Sequence, residues 1–445
     1  QLFGIKMKEL DMVGFSIEEK DANIWNGTIK EKSVEDEWIL VPAEIISDKV
    51  KILAEWVRDD ERIPAIVENI FGKGKAILLT STYLLHPSNY GGVSSIEHIE
   101  NFYDYIINSS NGNKKSKFEL CPWPKGYSSA FCVTFNSEGN EDQTKKIQNF
   151  LKAENIRATF FIDSTLSAEQ LSTLEKDESI TLQSNLYTRA DLSTLGFSQM
   201  IREILMNEQH FGKNFTGIRF PLGKTNFWGL LYADQQGYKY DTSIGVDHLT
   251  NYEGSVIPYN IPISQNGFYK TLNILEISPS SNDDEIYFGK SVTEPDYNID
   301  VQKTDANLFE KYLFDFYDFA VKKYNGLMLY TGHPQYTGFS EVTLQPLKKL
   351  IDTLKINNCW ITTLDEVVDF RNKLKVLSVG AFETENETEF QITLPGDTVI
   401  KGLTFKFDAK PEKITFSGSY DLKEKNGQYY LIADVRNNDI IRLNY

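Results

Sequence analysis

The chain lacks several features that would place it at once. Three cysteines in 445 residues, Cys121, Cys132 and Cys359, are too few for a disulfide scaffold. None sits in a CxxC pair of the kind that holds structural zinc. Cys132 and Cys359 lie in apolar, strand-like runs and read as buried free thiols, with a bridge between them as the alternative. No run of eighteen apolar residues occurs, so no membrane span is expected. A basic excess is also missing: 46 Lys plus Arg stand against 63 Asp plus Glu, a net charge of -17. With no local basic run, a phosphate backbone would be repelled, and no nucleic-acid partner is expected. What is present is core-forming material: 41% apolar and 13% aromatic residues exclude global disorder. The length suits about two to four domains. The chain begins with Gln1 rather than Met, so it reads as a mature or trimmed product from which any signal peptide has gone.

Composition divides the chain into three regions. Residues 1–112 contain EWILVPAEI (Glu37–Ile45) and IPAIVENIFGKGKAILLTST (Ile63–Thr82). The latter reads as two β runs joined at a Gly-containing turn over Phe71–Lys75. A helix is expected over Ser95–Ile107, and Asn108–Lys117 reads as a polar linker. Residues 120–372 alternate strands with amphipathic helices: AFCVTF, then a helix over Glu141–Glu154, then RATFFID, SITLQS, a helix near Ser198–Gln209, TGIRFP, GLMLYTGH, a helix near Leu344–Lys355, and NCWITTL. That alternation predicts a parallel α/β architecture, with a barrel the first choice. Residues 373–445 change to short alternating strands separated by Gly, Asp, Pro and Asn, which predicts a small β-sandwich. Its aromatics, Phe405, Phe407, Phe416, Tyr429 and Tyr430, are expected mainly in its core.

The stretch VTFNSEGN (Val133–Asn140) ends an apolar strand in a polar, Gly-containing turn ahead of a helix. Such a turn would present side chains to a metal, yet its two positions after the Phe hold an amide and a hydroxyl. RATFF follows at Arg157–Phe161, then LQSNLYTRADL at Leu182–Leu192, Arg219-Phe220-Pro221, a Gly-Tyr-x-Tyr-Asp-x-Ser segment at 237–243, and a late strand ending in His333. Together these segments resemble the polysaccharide deacetylase (NodB-homology, carbohydrate esterase family 4-like) domain, with degenerate motifs. The resemblance implies a distorted NodB-type (β/α) barrel over most of 125–372.

It also implies a site. Active members hold a zinc-like divalent metal through one Asp and two His, use another Asp as base, and protonate the leaving amine from a late His. Carried onto this sequence, the base position is Asn136 and the metal positions are Ser137, Asn185 and Arg189. An amide cannot accept the proton, a hydroxyl and an amide oxygen are weak ligands, and a guanidinium cannot ligate. The expectation is therefore a metal-free domain, a pseudoenzyme that binds carbohydrate or scaffolds a carbohydrate-processing system. Aligned on its glycine, the turn offers Glu138 at the metal position instead; Glu138 reads either as an ion-pair partner of Arg189 or as a solvated turn residue. His333 and Arg219 stand where the family places its acid and orients its base. His333 is read as bonded to backbone or as touching ligand, Arg219 as a structural fork or a substrate contact, and Asp241 as a cap or turn residue. Tyr187 would stack on a sugar or fill the rim. If Arg189 faces open cleft, an acidic glycan is the expected ligand.

The hairpin in residues 1–112 resembles part of a class I glutamine amidotransferase-like domain of α/β class. Those enzymes need a nucleophilic Cys, and residues 1–120 contain none, so amidotransfer is excluded. His86 then has no nucleophile to serve. The alternative function is an active carbohydrate deacetylase or esterase, a hydrolase on C–N non-peptide bonds, using His333, Arg219 and Glu138. In either case an extracytoplasmic location is expected.

Overall fold

The computed structural model describes residues 3, 5–7, 16–20, 43–71, 74–80, 102–103, 105–106, 118–138, 141–190, 195–246, 254–265, 268–280, 282–289 and 306–445. The chain splits into two compact units, Gln1–Ser116 and Lys117–Tyr445.

In the first unit, β1 (Ile5–Met7) pairs with β3 (Ala43–Ile45), while β2 (Ser16–Glu19), β4 (Val50–Arg58), β5 (Glu61–Phe71) and β6 (Gly74–Leu79) form one sheet in the order 2-4-5-6. Every described pairing here is antiparallel. Phe71 pairs with Gly74 across a two-residue connection, which is the hairpin expected at the Gly-Lys-Gly turn. Trp56 is buried in this sheet and donates from Nε1 to Thr80 Oγ1 at 2.9 Å, satisfying the one polar atom of a large apolar side chain. Helical backbone is described at 102–103 and 105–106. The rest of the expected helix, the linker 108–117 and His86 lie outside the described residues.

The second unit opens with β7 (Phe118–Leu120) and continues through β8 (Ser129–Asn136), α1 (Glu141–Glu154), β9 (Ala158–Ile162), α2 (Ala168–Glu175), β10 (Ile180–Ser184), α3 (Phe197–Phe211), β11 (Gly217–Ile218), α4 (Phe227–Gln236) and β12 (Tyr240–Asp241). There follow β13 (Tyr259–Gln265), β14 (Phe268–Glu276), α5 (Asp284–Phe288), α6 (Ala306–Tyr317), β15 (Leu327–Gly332), α7 (Pro334–Thr337), α8 (Glu341–Ile356), β16 (Cys359–Thr362) and α9 (Leu364–Lys375). Strands β8 to β16 make one nine-stranded sheet, ordered 13-14-12-11-10-9-8-15 with β16 also on β8. All pairings in it are parallel except β13–β14. The sheet curls as a half-barrel of mixed α/β class. Strand β8 is buried on both faces, as a central parallel strand covered by helices must be. The amphipathic α1 buries Ile147, Phe150 and Leu151 at the i, i+3, i+4 spacing of one helix face. Gly217 has no substitute: a Cβ there would lie 2.1 Å from the Tyr240 ring, so the close approach of β11 and β12 depends on it.

The chain then forms β17 (Ser378–Glu383), β18 (Glu387–Thr393), β19 (Val399–Phe407), β20 (Lys413–Thr415), β21 (Tyr420–Lys425), β22 (Gln428–Arg436) and β23 (Ile440–Asn444). These give two antiparallel sheets, ordered 17-18-23-20 and 21-22-19-7. One apolar cluster containing Phe390, Ile400, Phe405, Phe407, Leu431 and Val435 lies within them, with Phe416 and Tyr429 partly buried against it. The edge strand β7 precedes the half-barrel in sequence but pairs with β19, and Phe118 packs edge-on against Phe390 at 4.7 Å. The half-barrel is thus inserted after the first strand of the second pair of sheets. All three cysteines are free and buried. No Cys132–Cys359 bridge forms.

Candidate active site

The functional candidates come from the carboxyl ends of neighbouring parallel strands, where α/β sheets place their sites. Asn136 and Ser137 end β8, Asp163 follows β9, Asn185 follows β10, Arg219 follows β11, Thr242 follows β12 and His333 follows β15. A cavity of about 770 Å³ opens here, its wall including Asn136, Asn185, Arg189, Arg219, Asp283 and Glu285.

Arg219 is a buried fork. Its Nε donates to Thr242 Oγ1 at 2.9 Å, Nη1 to Asn136 Oδ1 at 3.1 Å and Nη2 to Thr134 Oγ1 at 2.8 Å. The guanidinium carbon lies 4.1 Å from the centroid of the Phe161 ring, a cation–π contact. Burial lowers its pKa to about 10, against the pull of Asp241. Arg219 thus ties together Thr134, Asn136 and Thr242 and also lines the cavity.

His333 is held from two sides. Asp284, fully buried in α5, accepts from His333 Nδ1 at 2.7 Å and from the His333 backbone N–H at 2.8 Å. The same carboxylate accepts from the Thr337 N–H at 3.1 Å and the Thr337 hydroxyl at 2.5 Å, an anion seated at the first turn of α7. On the other side Asn136 Nδ2 lies 3.0 Å from His333 Nε2. Because Arg219 holds the amide oxygen, Asn136 turns its N–H toward the ring, and the matching state is neutral imidazole with its proton on Nδ1. Charge acts the other way. Burial lowers the imidazole pKa, but Asp284, Asp283 and Glu138 outweigh it and raise it to about 9. Protonating Nε2 requires the Asn136 amide to turn and release Arg219; an Asp at 136 would accept from both.

Arg189 is the other organising group. Its Nη2 is ion-paired with Glu138 Oε1 and its Nε lies 3.5 Å from Asp163 Oδ2. Glu138 also accepts from Gln335 at 3.0 Å. Burial raises the Glu138 pKa, against the lowering effects of His333 and Arg189. The backbone reaches this arrangement through left-handed residues, Leu186 at φ 62° and Arg189 at φ 59°, conformations that cost L-residues free energy and cluster at functional loops.

Of the residues singled out in the sequence, Asn136, Asn185, Arg189 and Arg219 share the cavity wall. His333, Ser137 and Glu138 are not part of that wall, although Asn136 and Arg189 connect two of them to it. Tyr187 is not part of it either: its ring packs edge-on against His210 at 5.6 Å. Asp191 and Leu192 lie outside the described residues. Asp241 is buried beside Glu276 and accepts from Ser243 Oγ at 2.6 Å. Burial raises both carboxyls, Asp241 to about 6. Their Oδ2 and Oε2 have no other donor among the described residues, so the pair retains a proton.

A zinc-like ion does not fit the hydroxyl of Ser137, the amide of Asn185 and the guanidinium of Arg189, which already supplies a permanent cation to Glu138 and Asp163. Ser137 Oγ, Asp163 Oδ2 and Asn185 Oδ1 are buried without a hydrogen-bond partner among the described residues. Sequence reasoning missed Asp284, the partner of His333, and Asp283 and Glu285 beside it. Donor atoms of Asp283, Glu285 and His333 lie within 4.8 Å of one another. Their signal was the acidic run Asp283-Asp284-Glu285 after a Pro- and Ser-rich turn.

A family model described as polysaccharide deacetylase matches residues 127–240. No curated protein matches. Among solved structures, a Mycobacterium smegmatis protein named as a polysaccharide deacetylase is 15% identical, with 60% of this chain and 100% of that one covered, at a TM-score of 0.48. A family 4 carbohydrate esterase from Streptomyces lividans, in complex with acetate, is 15% identical over 53% of this chain and 92% of that one, at 0.33. A CE4 family pseudoenzyme from Bacillus anthracis is 14% identical over 56% and 70%, at 0.36. The match to the polysaccharide deacetylase model covers residues 127–240, the stretch that runs from β8 to β12 of the half-barrel.

Proposed function

We propose that this domain binds glycan without metal-dependent deacetylation, serving recognition or scaffolding in a carbohydrate-processing system. The observation that carries the reading is the Arg189–Glu138 ion pair, formed beside an Asn136 that cannot take a proton from water. Binding of purified protein to N-acetylated and de-N-acetylated oligosaccharides, with acetate release measured in parallel, tests it. Binding without turnover is expected.

A second reading, an active carbohydrate deacetylase or esterase, draws on the Asp284–His333 pair, which keeps the form of an oriented acid. It would need a nucleophile-activating group other than Asn136. Support for an acidic glycan weakens because Arg189 is engaged by Glu138 rather than open. The β5–β6 hairpin is what supports an amidotransferase-like residue 1–112 region, the two packed sheets support a terminal β-sandwich, and the glycan role supports an extracytoplasmic location.

A further inference from the structure

A second cavity, of about 750 Å³, lies where the half-barrel meets the terminal sheets. The half-barrel contributes Lys125 ahead of β8, Trp360 on β16 and part of α9; the turn between β18 and β19 and the start of β19 contribute Asp397, Val399 and Lys401. No residue lines both this cavity and the one at the strand ends. Lys125 precedes the amino end of β8 and Asn136 closes its carboxyl end. At about 3.3 Å per residue, that strand holds the two walls roughly 20 Å apart.

Trp360 is the residue that points to a ligand. Trp56 and Trp123, both buried, each donate from the indole, Trp56 to Thr80 Oγ1 and Trp123 to the Asn325 carbonyl at 2.6 Å. Trp360 is half-buried, with the Phe370 ring edge-on at 6.0 Å. Its indole N–H has no hydrogen-bond partner among the described residues and is not sealed from solvent. An aromatic wall residue of this kind offers an apolar body and one open donor.

The charges of the wall balance. Asp369 pairs with Lys373 at 2.7 Å and Glu366 with Arg157 at 2.5 Å, while Asp365 accepts from Thr216 Oγ1 at 2.8 Å. Lys125, Lys401 and Asp397 have no ion-pair partner among the described residues. Lys125, Lys373, Lys401 and Arg157 together offset Asp365, Glu366, Asp369 and Asp397, so neither a cation nor an anion is favoured. The uncommitted groups are donors on Trp360, Lys125 and Lys401 and an acceptor on Asp397, set beside the apolar surfaces of Trp360 and Val399. A neutral sugar ring has apolar faces and a rim of hydroxyls that both donate and accept, which matches that set.

We propose that this cavity is a second glycan site, taking a neutral sugar unit with a ring face on Trp360 and hydroxyls on Lys125, Lys401 and Asp397. It shares only its ligand class with the glycan-binding reading above and depends on none of the strand-end residues. The volume falls in the range of small-ligand sites, about 300–1,000 Å³.

The test is calorimetric titration of the full chain with a tetramer of N-acetylglucosamine. Binding at the strand ends alone gives one oligomer per chain; the second site gives two. W360F keeps an aromatic ring beside Phe370 but removes the indole N–H, and K401A alters an exposed side chain. Each should weaken one binding event about tenfold, the effect of one lost polar contact, and leave the other unchanged. Affinities unmoved by both variants, at either stoichiometry, would overturn this inference and leave the strand-end reading standing. A single binding event weakened by both variants would support this inference and remove glycan binding from the strand ends. No binding at all would overturn both. A Lys- and Glu-containing peptide that occupies the W360F-sensitive site more tightly than the oligomer would show a protein-docking site and overturn the proposal. A thermal melt of each variant separates lost binding from lost folding.

Discussion

The guanidinium of Arg189 is ion-paired with the carboxylate of Glu138 and lies beside Asp163, so the mouth of the half-barrel contains a cation supplied by the protein itself. This arrangement links the fold to its chemistry: the loop after β10 brings to the site a residue that neutralises carboxylates but cannot bind and activate a water as a metal would.

R189A should therefore destabilise the protein. Arg189 is about one-third exposed, so solvent discounts the pair, and a loss of about 1–2 kcal/mol is expected. The sign with pH follows from Glu138, whose folded pKa is raised by burial and would rise further without Arg189. The folded state then holds more protons than the unfolded one between the two pKa values, and stability falls as pH rises through that window. The R189A deficit should be smallest near pH 4 and larger at neutrality, as read by urea unfolding at both.

Asp284 accepts four hydrogen bonds while fully buried. D284A should cost about 3–5 kcal/mol. D284N should keep the shape but lower the His333 pKa. Because the folded pKa of His333 is raised, to about 9, its stabilisation is present in full below the unfolded value of about 6.5. That stabilisation is lost as pH rises through 9, and D284N should flatten the alkaline slope. N136D should move the His333 pKa upward, since Asp accepts where Asn donates. Imidazole proton shifts followed by NMR against pH read both changes.

E276Q should be neutral or stabilising at pH 7 and above. Glu276 and Asp241 are fully buried, with both pKa values raised, burial first and each other's charge adding to Glu276. The folded state binds the extra proton, so stability falls as pH rises past the ordinary carboxylate range. An amide in place of the protonated acid removes that slope, which thermal melts at pH 5 and pH 8 would show.

A fragment that starts at 373 should fold poorly, because β7 supplies an edge strand to β19 from residues 118–120. F118A in the full chain should cost about 2–4 kcal/mol through lost packing on Phe390 and Phe405. Circular dichroism of the fragment and denaturant unfolding of F118A check this.

The legible parts of the sequence were those with strong local patterns. β8, β9 and β15 are continuous apolar runs ending at site residues, and Arg219-Phe220-Pro221 announced its fork by an Arg between a short strand and a Pro turn. β13 and β14 went unread because they turn antiparallel inside an otherwise parallel sheet. Asp284 was hidden on a five-residue helix, too short for helical periodicity to show, and its partner His333 lies 49 positions away. β7 was hidden for the same reason at greater range: three residues carry no period, and β19, which fixes them, follows the entire half-barrel. The Arg189–Glu138 pair was legible as one of two readings for Glu138. Asp163 was not, since it ends a strand whose apolar residues drew the reading.

The most direct test of the account is acetate release from N-acetylated oligosaccharides by protein incubated with zinc, cobalt or nickel, with and without chelator. The account predicts no release above background and no chelator effect, because Ser137, Asn185 and Arg189 cannot seat the ion and Asn136 cannot serve as base. Chelator-sensitive turnover by the unmodified chain would contradict it.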